Sequence, residues 1–460
     1  MSTARALFVL LCLAAGSLNA AEDAALIDSD GDDRNGLALT LYQNGATLVE
    51  DRRSIALQSG VTTLLMEDVS PLLLPQSLRL EAGDGVRTLS HRLQLPSLDA
   101  GSLADAYLGE DVMLVRDLAG GGQRSRPVRL LARDGDTLII RDGDGVEPIP
   151  ASSGWRLRVP GLPPESRGRT ALLLEVESAT AGSRDGRLLY LTEGLGWQAD
   201  YVLSIDGDQL SVKALAGIDN RTGLAFPDAH VRLVAGDPAR SAGPVARSMT
   251  LEDASVADVG VGDYRLYELP EPVTLGRSEQ VHLPLFQVAN IPAQREYRLV
   301  GNAWGPQRTG PVAQPVMARL RLDTGPDGIA RAMPAGTARV YETDPRYGAI
   351  FLGEDRVPAT AEGGHAELSL GMAFDLSATR QQTRYRRLDE RSEEQGWQIR
   401  VRNTRDRDAS IRIIEQMPGD WTLLESSQDP DRSEPGRAIW TLNVPAGGEA
   451  QLRYLAEVRR

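Results

Sequence analysis

From residue 37 onward, apolar and polar residues alternate along most of the chain with a period of two. In the stretch "LGWQADYVLSID", Trp197 and Tyr201 fall on the same side of this alternation. A period of two places successive side chains on opposite faces of a β-strand. Tight-turn pairs such as Asp134-Gly135 and Asp142-Gly143 separate the alternating runs. The pattern predicts an all-β protein built from tandem antiparallel β-sandwich or barrel units.

Turn clusters and shifts in composition divide the chain into successive regions. Pro160, Pro163 and Pro164 cannot donate hydrogen bonds to a strand ladder, and they indicate a boundary. The predicted regions are a signal peptide (1–20), a flexible acidic lead (21–36), an N-terminal β domain (37–100), a small β-barrel or meander (101–160), a central β-sandwich region (170–375) and a C-terminal immunoglobulin-like β-sandwich (376–460).

The first twenty residues have the order of a secretory signal peptide. Arg5 precedes the apolar run "ALFVLLCLAAG", and the small residues that favour cleavage follow it. We expect cleavage after Ala20 or Ala21 and delivery to the periplasm, with the medium and the outer-membrane face as alternatives. Because Cys12 is the only cysteine of the chain, the mature protein is expected to contain no disulfide.

Charge excludes two classes of partner. The formal net charge is −14, and Lys213 is the only lysine among the basic residues. Nucleic acids and anionic membrane surfaces both require a clustered positive face, so neither is expected to bind. No later run reaches the ~18 apolar residues that a bilayer span needs, so the mature chain is predicted to have no transmembrane segment.

Trp197 and Tyr201 are the candidate binding residues. The glycines Gly194 and Gly196 lead into a strand rather than a helix, so they are not expected to cradle a phosphate group. The two aromatic side chains have two interpretations. They either pack against an opposite sheet or form an exposed platform for a sugar or a peptide.

Glu354 and Asp355, in the sequence "LGED", are an alternative acidic pair. A glycoside hydrolase needs two carboxyl groups about 5–10 Å apart across a cleft. Adjacent acids in a polar turn are more commonly solvated surface groups. The pair therefore supports a hydrolase only if the two side chains face each other.

No catalytic residue, cofactor or metal site is predicted from the remaining motifs. The four histidines lie far apart, and His365 would share one face of a strand with Glu367. A zinc site needs at least three ligands, and no third one can be named. The chain also lacks the G-x-S-x-G and S-x-x-K motifs of serine acyl enzymes.

Several stretches in a fixed order resemble a known bacterial family. They include "LYLTEGLGWQADYVLSID", "AGIDNRTGLAFPDAHVRLVAGD", "MPAGTARVYETD", "ELSLGMAFDL" and "WQIRVRNTRDRDASIRIIEQMPGDWTLL". In this order they resemble the exported family called domain of unknown function 4139, over residues 187–460. Some relatives are labelled mucoidy inhibitor-like, and longer ones carry a coiled coil, for which this chain has no heptad run. The family has no agreed catalytic residues, so the resemblance implies none here.

Together these features predict an exported cell-envelope protein of unknown function that binds or scaffolds without catalysis. The expected partner is a cell-envelope protein or a glycan. The alternative is a hydrolase of envelope polysaccharide that uses a carboxylate pair. The sequence leaves the oligomeric state open.

Overall fold

A computed structural model describes residues 25–43, 45–96, 99–118, 120–161, 168–236, 257–261, 264–301, 305–307, 310–417 and 419–459. Almost all of the secondary structure in these residues is β-strand, which confirms the predicted fold class. The predicted signal peptide and residues 21–24 lie outside the described part of the chain.

Thirty strands are formed by the described residues. Those up to residue 192 are β1 (Ala25–Ser29), β2 (Arg34–Tyr42), β3 (Thr47–Leu57), β4 (Gly60–Glu67), β5 (Arg79–Glu81), β6 (Val86–Gln94), β7 (Asp111–Asp117), β8 (Gln123–Asp134), β9 (Thr137–Asp142), β10 (Gly145–Pro150), β11 (Arg156–Arg158), β12 (Ala171–Ser178) and β13 (Gly182–Thr192). The others are β14 (Leu195–Asp206), β15 (Gln209–Asn220), β16 (Phe226–Ala235), β17 (Ala257–Val261), β18 (Tyr264–Glu268), β19 (Val273–Leu275), β20 (Glu279–Pro292), β21 (Gln294–Gly301), β22 (Val312–Asp323), β23 (Gly336–Asp344), β24 (Gly348–Val357), β25 (His365–Arg387), β26 (Ser392–Asn403), β27 (Ala409–Gln416), β28 (Asp420–Ser426), β29 (Arg437–Val444) and β30 (Glu449–Arg459).

Helices are few and short in the described residues. The α-helix α1 spans Ala100–Ala106, and single 3-10 turns occupy Gly31–Asp33, Pro75–Ser77 and Ala151–Ser153. Asp99 caps α1 by accepting a hydrogen bond from the Ser102 backbone N–H. None of these helices has the length or the apolar content of a bilayer span.

The chain divides into two compact units that are interleaved in sequence. The first unit contains Met1–Gly36 and Glu50–Tyr190, and the second contains Leu37–Val49 and Leu191–Arg460. The domain bounds predicted from the sequence stay a prediction. The boundary predicted at residues 375 and 376 falls inside the continuous strand β25.

The described part of the acidic lead is not a flexible segment. Strand β1 pairs in parallel with β4, with Leu26 opposite Thr63, and β2 begins at Arg34. The acidic composition and missing apolar period of these residues do not prevent strand pairing, because backbone hydrogen bonds to a neighbouring strand require no apolar side chains.

The first unit contains two sheets that lie wholly within it. One has the strand order β1-β4-β12-β6. The other, the meander sheet, has the order β10-β9-β8-β7-β11 and packs its apolar face around Leu114, Leu130 and Ile140, with Ala104 of α1. All neighbouring strands of the meander sheet are antiparallel.

A buried ionic cluster also lies in the first unit. Asp51 accepts hydrogen bonds from Arg34 Nη2 at 2.9 Å and from Arg53 Nη2 at 2.8 Å. Arg53 is fully buried and donates to the backbone carbonyls of Ser29 and Glu67. Burial favours the neutral acid, but the hydrogen bonds from the two guanidinium groups hold the pKa of Asp51 below its ordinary value.

The second unit contains a five-stranded sheet with the order β20-β15-β14-β23-β24, here called the central sheet. Strand β14 pairs antiparallel with β15 and parallel with β23. Burial alternates along β14, so that one face of this strand is packed in the core. The opposite face of the sheet is called the open face.

Another large sheet of the second unit has eight strands in the order β28-β30-β26-β25-β22-β21-β27-β29, here called the long sheet. It curls around a single apolar core that includes Trp397, Ile411, Trp440 and Leu452. Its strands β21 and β22 precede residue 376, so the C-terminal fold extends beyond the predicted region. An immunoglobulin-like topology stays a prediction.

A second buried ion pair lies in the long sheet. Arg380 Nη2 is 2.6 Å from Glu415 Oε2, and the guanidinium carbon of Arg380 lies 3.8 Å from the centre of the Trp397 ring. Burial raises the pKa of Glu415 to about 7, while the Arg380 charge and the Tyr454 hydroxyl act to lower it. One cation therefore compensates the buried carboxylate less completely than the two cations around Asp51.

Candidate functional site on the open face of the central sheet

Trp197 and Tyr201 lie on the packed face of β14, not on the open face. Their exposed fractions are 3% and 0%. Trp197 Nε1 donates to the Val234 carbonyl at 3.2 Å, and the Tyr201 hydroxyl donates to the Pro334 carbonyl at 2.7 Å. Both polar atoms are thus satisfied within the core. The two residues pack in the interior and do not form an exposed platform for a ligand.

Glu354 and Asp355 lie next to each other on β24 and make separate interactions. Glu354 Oε2 is 2.8 Å from Arg339 Nε. Asp355 accepts hydrogen bonds from the backbone N–H groups of Arg356 and Ser369. Successive side chains of a strand point to opposite faces, so these carboxylates do not face each other across a groove.

Glu354 belongs instead to a row of ionisable side chains across the open face, here called the ionic row. It consists of His282 on β20, Asp200 on β14, Arg339 on β23 and Glu354 on β24. Arg339 Nη1 is 3.3 Å from Asp200 Oδ1, and His282 Nε2 is 3.6 Å from Asp200 Oδ2. Together with the Arg339–Glu354 contact, these pairs connect groups from four strands.

Gly217 on β15 makes room for the middle of the ionic row. A Cβ atom at this position would lie 3.0 Å from Asp200 Oδ2 and 3.1 Å from His282 Nε2. Asp200 is 8% exposed, and its Oδ2 atom accepts no hydrogen bond from the described residues. A buried carboxylate oxygen without a donor is costly, so Asp200 depends on Arg339 and His282 beside it for compensation.

An aromatic pair lies beside the ionic row. The rings of Tyr341 and Phe351 are 5.5 Å apart and inclined at 57°. Arg339 and Tyr341 are two residues apart on β23, and they pair with Glu354 and Phe351, which are three apart on β24. The bulge in β24 therefore brings Phe351 to the same face as Glu354. In a regular strand, residues three apart would lie on opposite faces.

This face presents polar and aromatic side chains next to each other. It offers a guanidinium group, two carboxylates and an imidazole next to two aromatic rings. Within the described ranges, no group of three or more His, Cys, Asp or Glu side chains is positioned to hold a metal ion. Glu367, which shares a strand face with His365 in the sequence pattern, is bound by Arg298 at 2.5 Å.

Comparison with known families places this face within a defined domain. A family model described as Domain of unknown function (DUF4139) matches residues 187–459. The chain belongs to this family. The DUF4139 match contains every strand of the central and long sheets, and with them the whole ionic row. No protein with a curated description matches the chain, and the DUF4139 description assigns no activity.

Sequence reasoning found Glu354 but missed its neighbours on the open face. Asp200 had a signal, because the alternation that buries Trp197 and Tyr201 places it on the opposite side of β14. His282 and Arg339 had none. They join the ionic row only through long-range strand pairing, which the sequence pattern does not specify.

Proposed function

We propose that this DUF4139 protein is exported to the cell envelope and binds a glycan there, without catalysis, on the open face of the central sheet. The observation that carries the proposal is the ionic row with the adjacent Tyr341–Phe351 pair. Charged groups and aromatic rings that lie on one surface suit a ligand that has both hydroxyl groups and apolar ring faces.

A sugar polymer fits the chemistry of this face. Its hydroxyl groups can donate to Glu354 and accept from Arg339, both of which are exposed, and such hydrogen bonds to charged groups are the stronger ones. Its apolar ring faces can pack on aromatic rings. Neighbouring strands lie ~4.8 Å apart, so the binding groups of successive strands repeat at about the length of a sugar unit.

The arrangement of the acids favours binding over hydrolysis. Arg339 contacts both Asp200 and Glu354, so a cation lies between the two carboxylates of the open face. A glycoside hydrolase holds the sugar, and in the inverting class a water molecule, in the space between its two carboxyl groups. The predicted pair of Glu354 and Asp355 offers no such space either.

Export rests on the signal-peptide pattern of residues 1–20. It is tested by N-terminal sequencing of the protein recovered from the periplasmic fraction of its host. We expect a mature end after Ala20 or Ala21. Recovery of a full-length chain from the cytoplasm alone would contradict export.

Glycan binding is tested with the full-length purified protein and two probes, peptidoglycan and outer-membrane polysaccharide, in co-sedimentation and calorimetry. Arg339→Ala and Phe351→Ala are expected to weaken binding at least about tenfold. Arg87→Ala removes a comparable exposed ion pair, with Glu177, in the first unit and serves as the matched control. It should bind as the unmodified protein does.

Three outcomes would overturn the proposal. The first is that neither probe binds, and the second is that Arg87→Ala weakens binding as much as Arg339→Ala. The third is the release of new reducing ends during incubation, which would show hydrolysis. If an envelope protein bound in place of either glycan, the partner of the open face would be a protein and not a glycan.

A further inference from the structure

An open cleft of about 630 Å³ lies in the second unit, apart from the ionic row. Six of its seven lining residues are charged, and the seventh is Tyr297. The charged residues come from three strands and from the turn between β26 and β27: Arg295, Glu342, Asp375, Arg405, Asp406 and Arg407.

Two of the charged groups neutralise each other. Arg295 Nη2 is 2.6 Å from Glu342 Oε1, and both side chains are partly buried. This pair forms a wall of the cleft and needs no ligand. The groups that remain for a ligand are Arg405 and Arg407 as cations and Asp375 and Asp406 as anions.

The backbone of the turn that carries both cations is fixed without their side chains. The buried Asn403 donates from Nδ2 to the carbonyls of Arg407, Val444 and Pro445, and accepts from the Arg405 N–H. The Gly447 N–H donates to the Arg405 carbonyl. The turn therefore keeps its conformation whether or not the guanidinium groups bind anything.

Both guanidinium groups lack a protein anion. Across the described ranges, neither Arg405 nor Arg407 lies within ion-pair distance of a carboxylate. Arg405 lies 4.4 Å from the centre of the Tyr297 ring, which leaves the N–H groups at its edge free. A planar guanidinium held in this way can bind a carboxylate through two parallel hydrogen bonds.

The residue that precedes the lining Asp375 is an exposed aromatic one. Phe374 is 97% exposed and Met372 is 71% exposed, whereas Ala373 and Leu376 belong to the apolar core. The pairing of β25 with β22 shifts its register between Met372 and residue 377, so this segment bulges from the ladder. Bulges re-aim side chains and commonly occur near binding sites.

We propose that this cleft binds the C-terminal end of an extended peptide whose last residue is apolar. Arg405 and Arg407 hold the terminal carboxylate, and Asp375 and Asp406 accept hydrogen bonds from the peptide N–H groups. Phe374 and Met372 cover the apolar side chain. This site is separate from the glycan face and does not depend on the function proposed for it.

The charge balance of the cleft selects among anions. The two free cations are matched by two acids, so a dianion such as phosphate meets as much repulsion as attraction. A peptide C-terminus fits both kinds of charge, because its carboxylate can bind the arginines and its N–H groups can donate to the acids. The large exposed aromatic side chain adds an apolar contact, which a free inorganic anion cannot use.

The test uses the full-length protein and two synthetic tripeptides, Ala-Ala-Leu with a free carboxylate and the same peptide with a C-terminal amide. Calorimetry and NMR should show that the free acid binds at least about tenfold more tightly than the amide. Arg405→Ala and Phe374→Ala should each weaken binding of the free acid by a similar factor. Arg405→Lys keeps the charge but loses the planar guanidinium. Its affinity for the free acid should lie between that of the unmodified protein and that of Arg405→Ala.

Arg400→Ala is the matched control, because Arg400 is an exposed arginine of β26 outside the cleft lining. It should bind the free acid as the unmodified protein does, and circular dichroism verifies that each variant is folded. Equal affinity for acid and amide would overturn the proposal. So would tighter binding of inorganic phosphate than of the free acid, or a loss of affinity in Arg400→Ala equal to that in Arg405→Ala.

Discussion

The two units contain ionic clusters of opposite composition and opposite surroundings. In the first unit, one carboxylate, Asp51, lies between the guanidinium groups of Arg34 and Arg53, and Arg53 is fully buried. In the second unit, one guanidinium, Arg339, lies between the carboxylates of Asp200 and Glu354, and 41% of its side chain is exposed.

The difference separates charges that stabilise the fold from charges that are available to a ligand. A buried ion must be compensated within the protein, because removal of one partner leaves an uncompensated charge without water. Arg53 meets this requirement through Asp51 and two backbone carbonyls. Arg339 and Glu354 stay in contact with solvent, so they can exchange water for ligand hydroxyl groups at little cost.

The largest expected effect comes from breaking the buried cluster. Asp51→Ala leaves Arg53 without a carboxylate in the interior, and we expect a loss of about 3–5 kcal/mol in the free energy of unfolding. Urea denaturation followed by circular dichroism measures it. Asp117→Ala, which breaks the exposed pair with Arg156, is the control and should cost less than about 1 kcal/mol. Similar losses in both variants would show that burial does not separate the two pairs.

The buried carboxylate of Glu415 allows a second comparison with Asp51, through the pH dependence of the protein's stability. Because burial raises the pKa of Glu415 to about 7 in the folded state, the folded protein holds this proton more tightly than the unfolded chain. The stability that protonated Glu415 provides is therefore present below about pH 4.5 and is lost as the pH rises through about 7.

Glu415→Gln imitates the protonated acid and isolates this effect. Its stability relative to the unmodified protein should rise by about 2–3 kcal/mol between pH 5 and pH 8 in urea denaturation. The stability contribution of Asp51 depends on pH in the opposite direction, because Arg34 and Arg53 lower its pKa against the effect of burial. Its contribution is present above about pH 4 and is lost as the pH falls further. A stability difference for Glu415→Gln that does not change with pH would contradict the assignment.

A smaller effect is expected from Tyr201→Phe, which tests the packed face of the central sheet. The substitution removes the hydrogen bond to the Pro334 carbonyl and should cost about 1–2 kcal/mol of unfolding free energy, measured by thermal and urea denaturation. Glycan binding should stay unchanged, because the hydroxyl is buried. If binding fell while stability did not, Tyr201 would belong to the ligand site after all.

The sequence pattern predicted the parts of this fold that depend on local alternation. It identified the strands around Trp197 and Tyr201, and it included core packing as one of two interpretations of this pair. It missed β1, whose pairing with β4 requires no apolar period. It also missed the interleaving of the two units, because strand pairing over long sequence separations leaves no local signal.

The candidate site was less predictable for the same reason. Arg339 reaches Asp200 through the parallel pairing of β23 with β14, more than a hundred residues apart in sequence. Phe351 joins Glu354 on the open face through a bulge at Gly353, and a glycine within a strand pattern indicates a bulge without specifying which side chains it brings together. A single residue of the predicted acidic pair, Glu354, therefore lies in the site, and Asp355 binds backbone groups on the other side of the strand.

The most direct test of whether the ionic row binds a ligand is to measure both stability and glycan binding in Arg339→Ala. If the ionic row serves a ligand, Arg339→Ala should cost clearly less unfolding free energy than the about 3–5 kcal/mol expected for Asp51→Ala, because Arg339 is 41% exposed, while affinity for the glycan falls at least about tenfold. A variant that binds the glycan as the unmodified protein does and loses several kcal/mol of stability would contradict it, and would make the open face a structural element like the cluster around Asp51.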